Sequence, residues 1–250
     1  GCFDYSQQEP RLVVHFALRT PGIIGVDTMA KAFQEDPSTD FHQIVADIAG
    51  IDRKQAKTIN LGLFYGMGVA KLQDQLGIND EEEAKELINK YHSKVPFVKQ
   101  LMKQTMDRAQ ASGRIRTIGG RLCRFDKWEP KDWNSRKWYD TQKEASDENG
   151  AGNIKRAFTY KALNRLIQGS AADMTKKAMV NLFKAGITPM IQVHDELNIS
   201  VTNEKQVKQI IEIMETAIEL EIPNKVDYES GENWGSIDKE GEEDIDKNFF

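Results

Sequence analysis

The sequence predicts an α+β protein: an antiparallel sheet backed by helices, with a helical block between the strands. Three observations predict it. The segment Ile191-Gln192-Val193-His194-Asp195-Glu196-Leu197-Asn198-Ile199-Ser200-Val201 has apolar flanks and a polar centre. Its Leu197, Ile199 and Val201 alternate at the period of a half-buried strand, so it reads as a β-hairpin with His-Asp-Glu at the turn. Phe3-Asp4-Tyr5 reads as the end of a second strand. Most of the chain between them has helical periodicity and helix-boundary residues.

At 250 residues the chain has room for one large domain or two small ones. A hydrophobic fraction of 39% and a charged fraction of 29% suit a globular protein in water. No run is long and apolar enough to span a bilayer, and the first residues show no signal-peptide pattern. Cys2 and Cys123 lack metal-ligand or redox spacing, which predicts a reducing compartment without a disulfide scaffold.

Taken in order, the first strand starts almost at residue 1. That predicts a piece of a longer protein, either truncated or one half of a split one. Residues 12–17 continue as an apolar helical segment, which Thr20-Pro21-Gly22 breaks. Residues 28–35 read as a short helix, and another follows with Thr39 or Asp40 as its N-cap. Asp52 caps a helix reaching about Tyr65, roughly 20 Å long at ~1.5 Å per residue. Arg53, Lys57, Leu61 and Tyr65 recur every fourth residue and so share one face. Asn79-Asp80-Glu81-Glu82-Glu83 places acids in the first turn of a helix to about Tyr91, where they complement its dipole. Pro96 opens a helix that Gly113 ends. Residues 114–125 alternate like a hairpin about Gly119-Gly120. Residues 126–152 read as a long loop or insertion with some helix. Residues 154–183 read as a long helix interrupted near Gln168-Gly169-Ser170. An amphipathic helix over 203–220 puts Val207, Ile210, Ile211 and Met214 on one face. Val226 begins a last strand, and the chain frays from Gly241 onward.

Chemistry enters with the acids. Adjacent carboxylates on a hairpin suit a hard divalent cation, and Mg2+ takes one or two of them, leaving its other positions to water and phosphate. Asp4 offers a further carboxylate from another strand. Taken alone, the Asp195-Glu196 pair reads more readily as a solvated turn. The net charge of −5 argues against nucleic acid until its distribution is considered: residues 94–137 hold twelve Lys/Arg against four Asp/Glu, and residues 238–250 hold six acids against two bases. A basic face can hide under a negative total, although such a stretch is also what an ordinary solvated face looks like.

Several motifs then coincide in order and spacing. Asp4-Tyr5-Ser6-Gln7-Gln8-Glu9-Pro10-Arg11 resembles the first polymerase motif of family A DNA polymerases, the class of bacterial DNA polymerase I and many phage replicases. Arg53, Lys57 and Tyr65-Gly66 resemble that family's fingers-helix motif, and Val193-His194-Asp195-Glu196 its third motif. Residues 164–173, around Gln168-Gly169-Ser170-Ala171-Ala172-Asp173, and Gly231-Glu232-Asn233-Trp234 are also similar. The resemblance covers nearly the whole chain, and Gln8-Glu9-Pro10 is more similar to phage than to bacterial members.

The resemblance implies a palm in two parts (1–35 and 151–237), fingers at 36–150 and an acidic tail at 238–250. It implies template-directed addition of dNTPs to a primer 3'-hydroxyl with two Mg2+ ions. Asp4 and Asp195 would be the metal ligands, the Tyr5 carbonyl would complete the nucleotide-side ion, and Glu196 would act near the primer end. Arg53, Lys57 and His42 would meet the triphosphate, with Tyr65 stacking at the templating position. Glu9 would exclude a 2'-hydroxyl, and Leu61 would lie against the incoming sugar. Asn164, Gln168 and His194 would read the primer-template minor groove.

Two positions depart from the pattern. Leu61 stands where many members carry Phe or Tyr. Tyr160 stands where many have Arg, a contact that Lys161 could supply. The exonuclease and thumb that relatives place before the first motif predict an N-terminal companion fragment, and Cys2 would suit a protein-splicing junction to it. The expected setting is phage DNA replication in a bacterial cytoplasm, with no membrane partner. Two rival readings remain: a single-subunit RNA polymerase, which Glu9 and the His-Asp-Glu triplet oppose, and a non-enzymatic half of a split polymerase, which the full set of expected metal ligands opposes.

Overall fold

A computed structural model describes residues 1–237 apart from 66, 68, 133 and 136. The expected acidic tail, its fraying and Gly66 therefore lie outside the described residues.

The chain opens with strand β1 (Cys2–Tyr5), whose Phe3 and Tyr5 are buried while Asp4 is exposed. Helix α1 (Gln8–Leu18) follows, starting four residues before the apolar run that announced it. Gln7 enters it in the left-handed region at φ 51°. Then come α2 (Asp27–Glu35) and α3 (Phe41–Ala49). Of the two expected caps for α3, Asp40 serves, accepting from the backbone N–H of His42 and Gln43. Helix α4 (Arg53–Phe64) starts with a capping box in which Asp52 and Gln55 satisfy each other's backbone N–H. Gly62 lets it meet the next helix, α5 (Val69–Leu76), because a Cβ there would sit 2.7 Å from Leu72 Cδ1. Asp80 caps α6 (Glu81–Lys94), and Pro96 and Gly113 bound α7 (Pro96–Ser112) as the residue types predict.

The basic hairpin forms as β2 (Arg114–Arg116) and β3 (Leu122–Arg124). The next stretch departs from expectation. Residues 126–152 contain β4 (Trp128–Pro130) and α8 (Gln142–Asn149), and β4 pairs with β5 (Ile154–Arg156). Three-residue strands are too short to show a period, and their partner lay inside what read as helix. A small cluster of Trp128, Tyr139, Ala145 and Ile154 holds this unit together.

Helix α9 (Ala162–Lys184) accordingly starts eight residues later than expected, and it runs through Gln168-Gly169-Ser170 unbroken. Gly169 is a packing site, not a break: a Cβ there would lie 2.7 Å from Thr117 Cγ2. Ser170 accepts from the Ile118 N–H, and buried Asp173 accepts from Thr117 Oγ1, Gly119 N–H and Arg121. The polar residues that suggested an interruption fasten the β2–β3 hairpin to the helix. α9 packs against α1, α7 and the later α10 (Glu204–Glu215), between which come β6 (Ile191–Val193) and β7 (Glu196–Asn198). The hairpin is shorter than its alternation suggested. Only His194-Asp195 form the turn, and Glu196 already belongs to β7. In α10 Ile210 and Met214 are buried, with Val207 and Ile211 packed beside them. β8 (Val226–Glu229) completes the described strands.

The main sheet has the order β6-β7-β1-β8 and is antiparallel throughout. Phe3, Leu197 and Tyr228 stand in one cross-strand row facing the helices. Behind the sheet, Arg11 is almost fully buried. It donates through Nε to Ser6 O (2.7 Å), through Nη1 to Pro223 O (2.7 Å) and through Nη2 to Pro37 O (2.6 Å). Its guanidinium lies 4.5 Å from the Phe33 ring centroid. One side chain thereby ties the end of β1, the approach to α3 and the approach to β8. Arg11→Ala would remove three part-buried hydrogen bonds and leave the space of an almost fully buried side chain empty, so urea unfolding is expected to show a loss of about 3 kcal/mol. An unchanged midpoint would refute that role.

Candidate active site

Directly opposite residues of an antiparallel pair point to the same face of the sheet. Asp4 is opposite Glu196 on one side and Asp227 on the other. Three carboxylates therefore cross three strands in a row, and Asp195 precedes Glu196 in the turn. Asp4 and Asp227 are exposed, and Lys225 pairs with Asp227 at 2.8 Å. Glu196 is buried, accepting from Asn198 Nδ2 at 2.5 Å and, at 3.5 Å, from the Cys2 thiol, which also donates to Asn198 Oδ1 at 2.7 Å. It does not stand beside Asp195 at the hairpin tip, because the turn closes one residue earlier. Asp227 was missed by sequence reading; only the register of β1 and β8 brings it into the row.

His194 occupies the turn in the left-handed region, at φ 55°, and its Nδ1 lies 3.0 Å from Asp195 Oδ1. The bond to Asp195 raises its pKa, burial opposes this, and Glu9 and Asp4 add to the rise. That mutual influence puts β1, the start of α1 and the hairpin turn in one electrostatic neighbourhood. Tyr5 supports it from below, its buried hydroxyl donating to Met214 O at 2.6 Å.

Across from the acids lies α4. Tyr65, its C-cap residue, donates to Glu9 Oε1 at 3.3 Å and is also in side-chain contact with Gln168 of α9. Burial, reinforced by Glu9, pushes the Tyr65 phenol up to about 12. Burial likewise raises Glu9, with Asp195 adding, against the Tyr65 bond and His194. Glu9 Oε2 is buried with no hydrogen-bond partner. Leu61 is partly buried on the core. Asn164 is half-buried on α9, four residues before the exposed Gln168.

Arg53 is the outermost cation of the α4 face and is held by Asp40. His42 is buried beside Arg53 and Lys57, both of which lower its pKa. Its Nδ1 meets Asn60 Nδ2 at 3.0 Å, and Tyr91 donates to Asn60 Oδ1 at 2.5 Å. The Tyr91 bond turns the Asn60 amide nitrogen toward His42. Nδ1 is then an acceptor and the ring proton sits on Nε2. Asn60 and Tyr91 were not legible as site residues, since both sit among apolar helical positions.

Could this site hold an ion? Among the described residues no group of three or more His, Cys, Asp or Glu side chains is gathered to hold a metal. Asp4 on β1 and Asp195 in the turn before the neighbouring β7 nevertheless supply hard oxygen donors. That donor set fits Mg2+, which keeps several positions for water and phosphate, and does not fit a caged transition metal.

Fold and site together define the class: an α+β protein whose antiparallel sheet presents carboxylates beside a cationic helix. A sequence model of DNA polymerase family A matches residues 2–236, and the chain belongs to that family. It is 41% identical to a DNA-directed DNA polymerase of Pseudomonas phage M6, over 93% of this chain and 37% of that protein. It is 31% identical to the thermostable DNA polymerase I of Thermus filiformis, over 92% of this chain and 26% of that one. The POL domain of Pol1 from M. smegmatis, solved in complex with DNA primer-template and dNTP, matches with a TM-score of 0.70 at 28% identity, covering 94% of this chain and 40% of that one. The chain thus spans about a quarter to two fifths of the length of these relatives.

His42 makes this site pH-sensitive below neutrality. Burial, opposed by Asp40 and reinforced by Lys57 and Arg53, pushes it down to about 4. A histidine with a lowered folded pKa contributes stability that is present above its unfolded value of ~6.5 and lost as pH falls toward 4. Thermal melts of the wild type should therefore decline between pH 6.5 and 4 more steeply than those of His42→Gln. Parallel curves would contradict the buried neutral imidazole.

Proposed function

We propose that this chain is the nucleotidyl-transfer portion of a DNA-directed DNA polymerase, adding dNTPs to a primer 3'-hydroxyl under template direction. The observation that carries the reading is the convergence of Asp4, Asp195 and Glu9 with the Arg53–Tyr65 helix through the Tyr65–Glu9 bond and the reach of Gln168. The primer-template and dNTP in the M. smegmatis complex support it. No described helix is long and apolar enough to cross a membrane, and the phage relative supports a role in phage DNA replication in the host cytoplasm.

Asp4, Asp195 and the Tyr5 carbonyl would hold two Mg2+ ions. Such a pair, when bound, lowers the pKa of the attacking hydroxyl and stabilises the leaving pyrophosphate. This chain's own residues do the rest. Arg53 grips the outer phosphates as a fork, and Lys57 neutralises the inner ones as a point charge. His42, neutral at pH 7, donates from Nε2. Tyr65 stacks at the templating position, and its motion with α4 makes pairing a condition of closure. Glu9, fixed by Tyr65, fills the space a 2'-hydroxyl would need, and Leu61 lines the sugar with an aliphatic surface. Asn164, Gln168 and His194 read acceptors common to all correct pairs in the minor groove. Glu196 orders the primer side of the sheet from its buried position.

In this reading, residues 1–35 and 151–237 form the palm and 36–150 the fingers. A further N-terminal fragment supplies phosphate contacts, which dominate DNA affinity.

Primer extension tests the proposal. With a primer-template, Mg2+ and dNTPs at low salt, Asp195→Ala should reduce extension by more than about 100-fold, the scale on which loss even of a supporting metal contact is felt. Extension equal to that of the unaltered chain would leave only a binding role. Offered rNTPs, Glu9→Ala should raise ribonucleotide use relative to dNTPs by roughly 10- to 200-fold. A chain that already prefers rNTPs would point to the RNA polymerase reading instead.

A further inference from the structure

Arg53 is not simply presented to solvent. Its Nε and Nη2 both reach Asp40 Oδ2 at 2.8 Å. The other oxygen of that carboxylate, Oδ1, caps α3, accepting from His42 N–H at 2.8 Å and Gln43 N–H at 3.1 Å. One side chain thus closes a helix with one oxygen and occupies an arginine fork with the other. Asp40 is also pinned from behind. Gln7 donates to Thr39 O at 2.9 Å and accepts from Phe41 N–H at 2.8 Å, holding the backbone on both sides of it. Arg11 fixes Pro37 just upstream. The carboxylate therefore cannot follow Arg53 when that residue moves.

The ion pair is open to approach: the Arg53 side chain is 46% exposed and that of Asp40 34%. Of the two partners, Arg53 is the one with freedom to turn, because its long stem projects from the first residue of α4. A triphosphate offers the same fork several charged oxygens in place of one. An anion that takes the Nε–Nη2 edge of Arg53 must displace an internal carboxylate, and a species that does not take that edge leaves the pair intact.

We propose that Asp40 is a specificity-determining residue, an internal anion that competes with the incoming triphosphate for Arg53. This rests on the nucleotide role of Arg53 proposed above. The fraction of molecules with Arg53 released scales the apparent affinity for the nucleotide, as for any ligand whose competent state is partly populated. The same residue keeps the mouth of α4 tied to α3 until enough negative charge arrives to replace it.

Asp40→Asn separates the two jobs. Asn caps a helix about as well as Asp, but it removes the charge that holds Arg53. Equilibrium titration with dATP in the presence of Mg2+ should show Asp40→Asn binding roughly two- to five-fold tighter than wild type, the range expected from releasing a partly exposed ion pair. Its melting temperature should fall only slightly, whereas Asp40→Ala, which also loses the cap, should melt lower still and yet bind tighter. In an Arg53→Ala background Asp40→Asn should have no effect on dATP affinity. Unchanged or weaker binding in Asp40→Asn, or the same gain without Arg53, overturns the inference. If Arg53→Ala weakens dATP binding while Asp40→Asn leaves it alone, the competition fails and the proposed function stands. If Arg53→Ala does not weaken it, both fail.

Discussion

The register of one four-residue strand is the constraint on which the rest depends. β1 is paired on both edges, so its alternation is read twice. In the observed register Phe3 joins Leu197 and Tyr228 on the helix-backed face, and Asp4 joins Glu196 and Asp227 on the other. A slip of one residue would move Asp4 into the core and Phe3 out of it. Exposing a phenylalanine loses about 1.5–3 kcal/mol of burial, and an unpaired buried carboxylate costs several more. A shift by one residue in either direction would put the aromatic out and the acid in, so packing of the helix-backed face keeps Asp4, Glu196 and Asp227 on the other one.

A second set of contacts transmits that placement to the helices. Gln7, three residues beyond Asp4 and held at positive φ, clasps the backbone around Asp40. Arg11 ties Ser6, Pro37 and Pro223 together from inside. Asp40 then orients both α3 and Arg53. From Gln7, three residues beyond Asp4, polar contacts run through the backbone around Asp40 to the first cation of α4. These polar contacts add to a hydrophobic core shared by the two parts of the site, in which Phe3, Tyr5 and Leu12 lie in one cluster with Phe41, Ala56 and Ile59.

Local signals were read well because they act locally. Asp52 before α4, Pro96 at the start of α7 and Gly113 at its end each satisfy or remove a backbone group within one turn, so a few residues suffice to recognise them. Motif spacing on α4 was legible for the same reason. The errors fell where a residue's partner was far away. Gly169 and Ser170 looked like a helix break, yet their small size and hydroxyl serve the hairpin tip some fifty residues earlier. β4 and β5 are three residues each and exist only because they pair. Glu196 looked like a turn residue and is a buried strand residue. The Asn60–Tyr91 support of His42 spans two helices, and neither residue carries a signal of it.

What the chain determined by itself is therefore its inventory: the helices and their ends, the order of the acid and cation motifs, and the resemblance those motifs carry. These follow from interactions closed within a turn or two. Tertiary structure decided which carboxylates share a face, which oxygen of Asp40 holds Arg53, which way the His42 proton points and where Glu196 is buried. Each of those depends on strand register or on a hydrogen bond between separate elements, and such choices are made only when the apolar face of the sheet has chosen its partner.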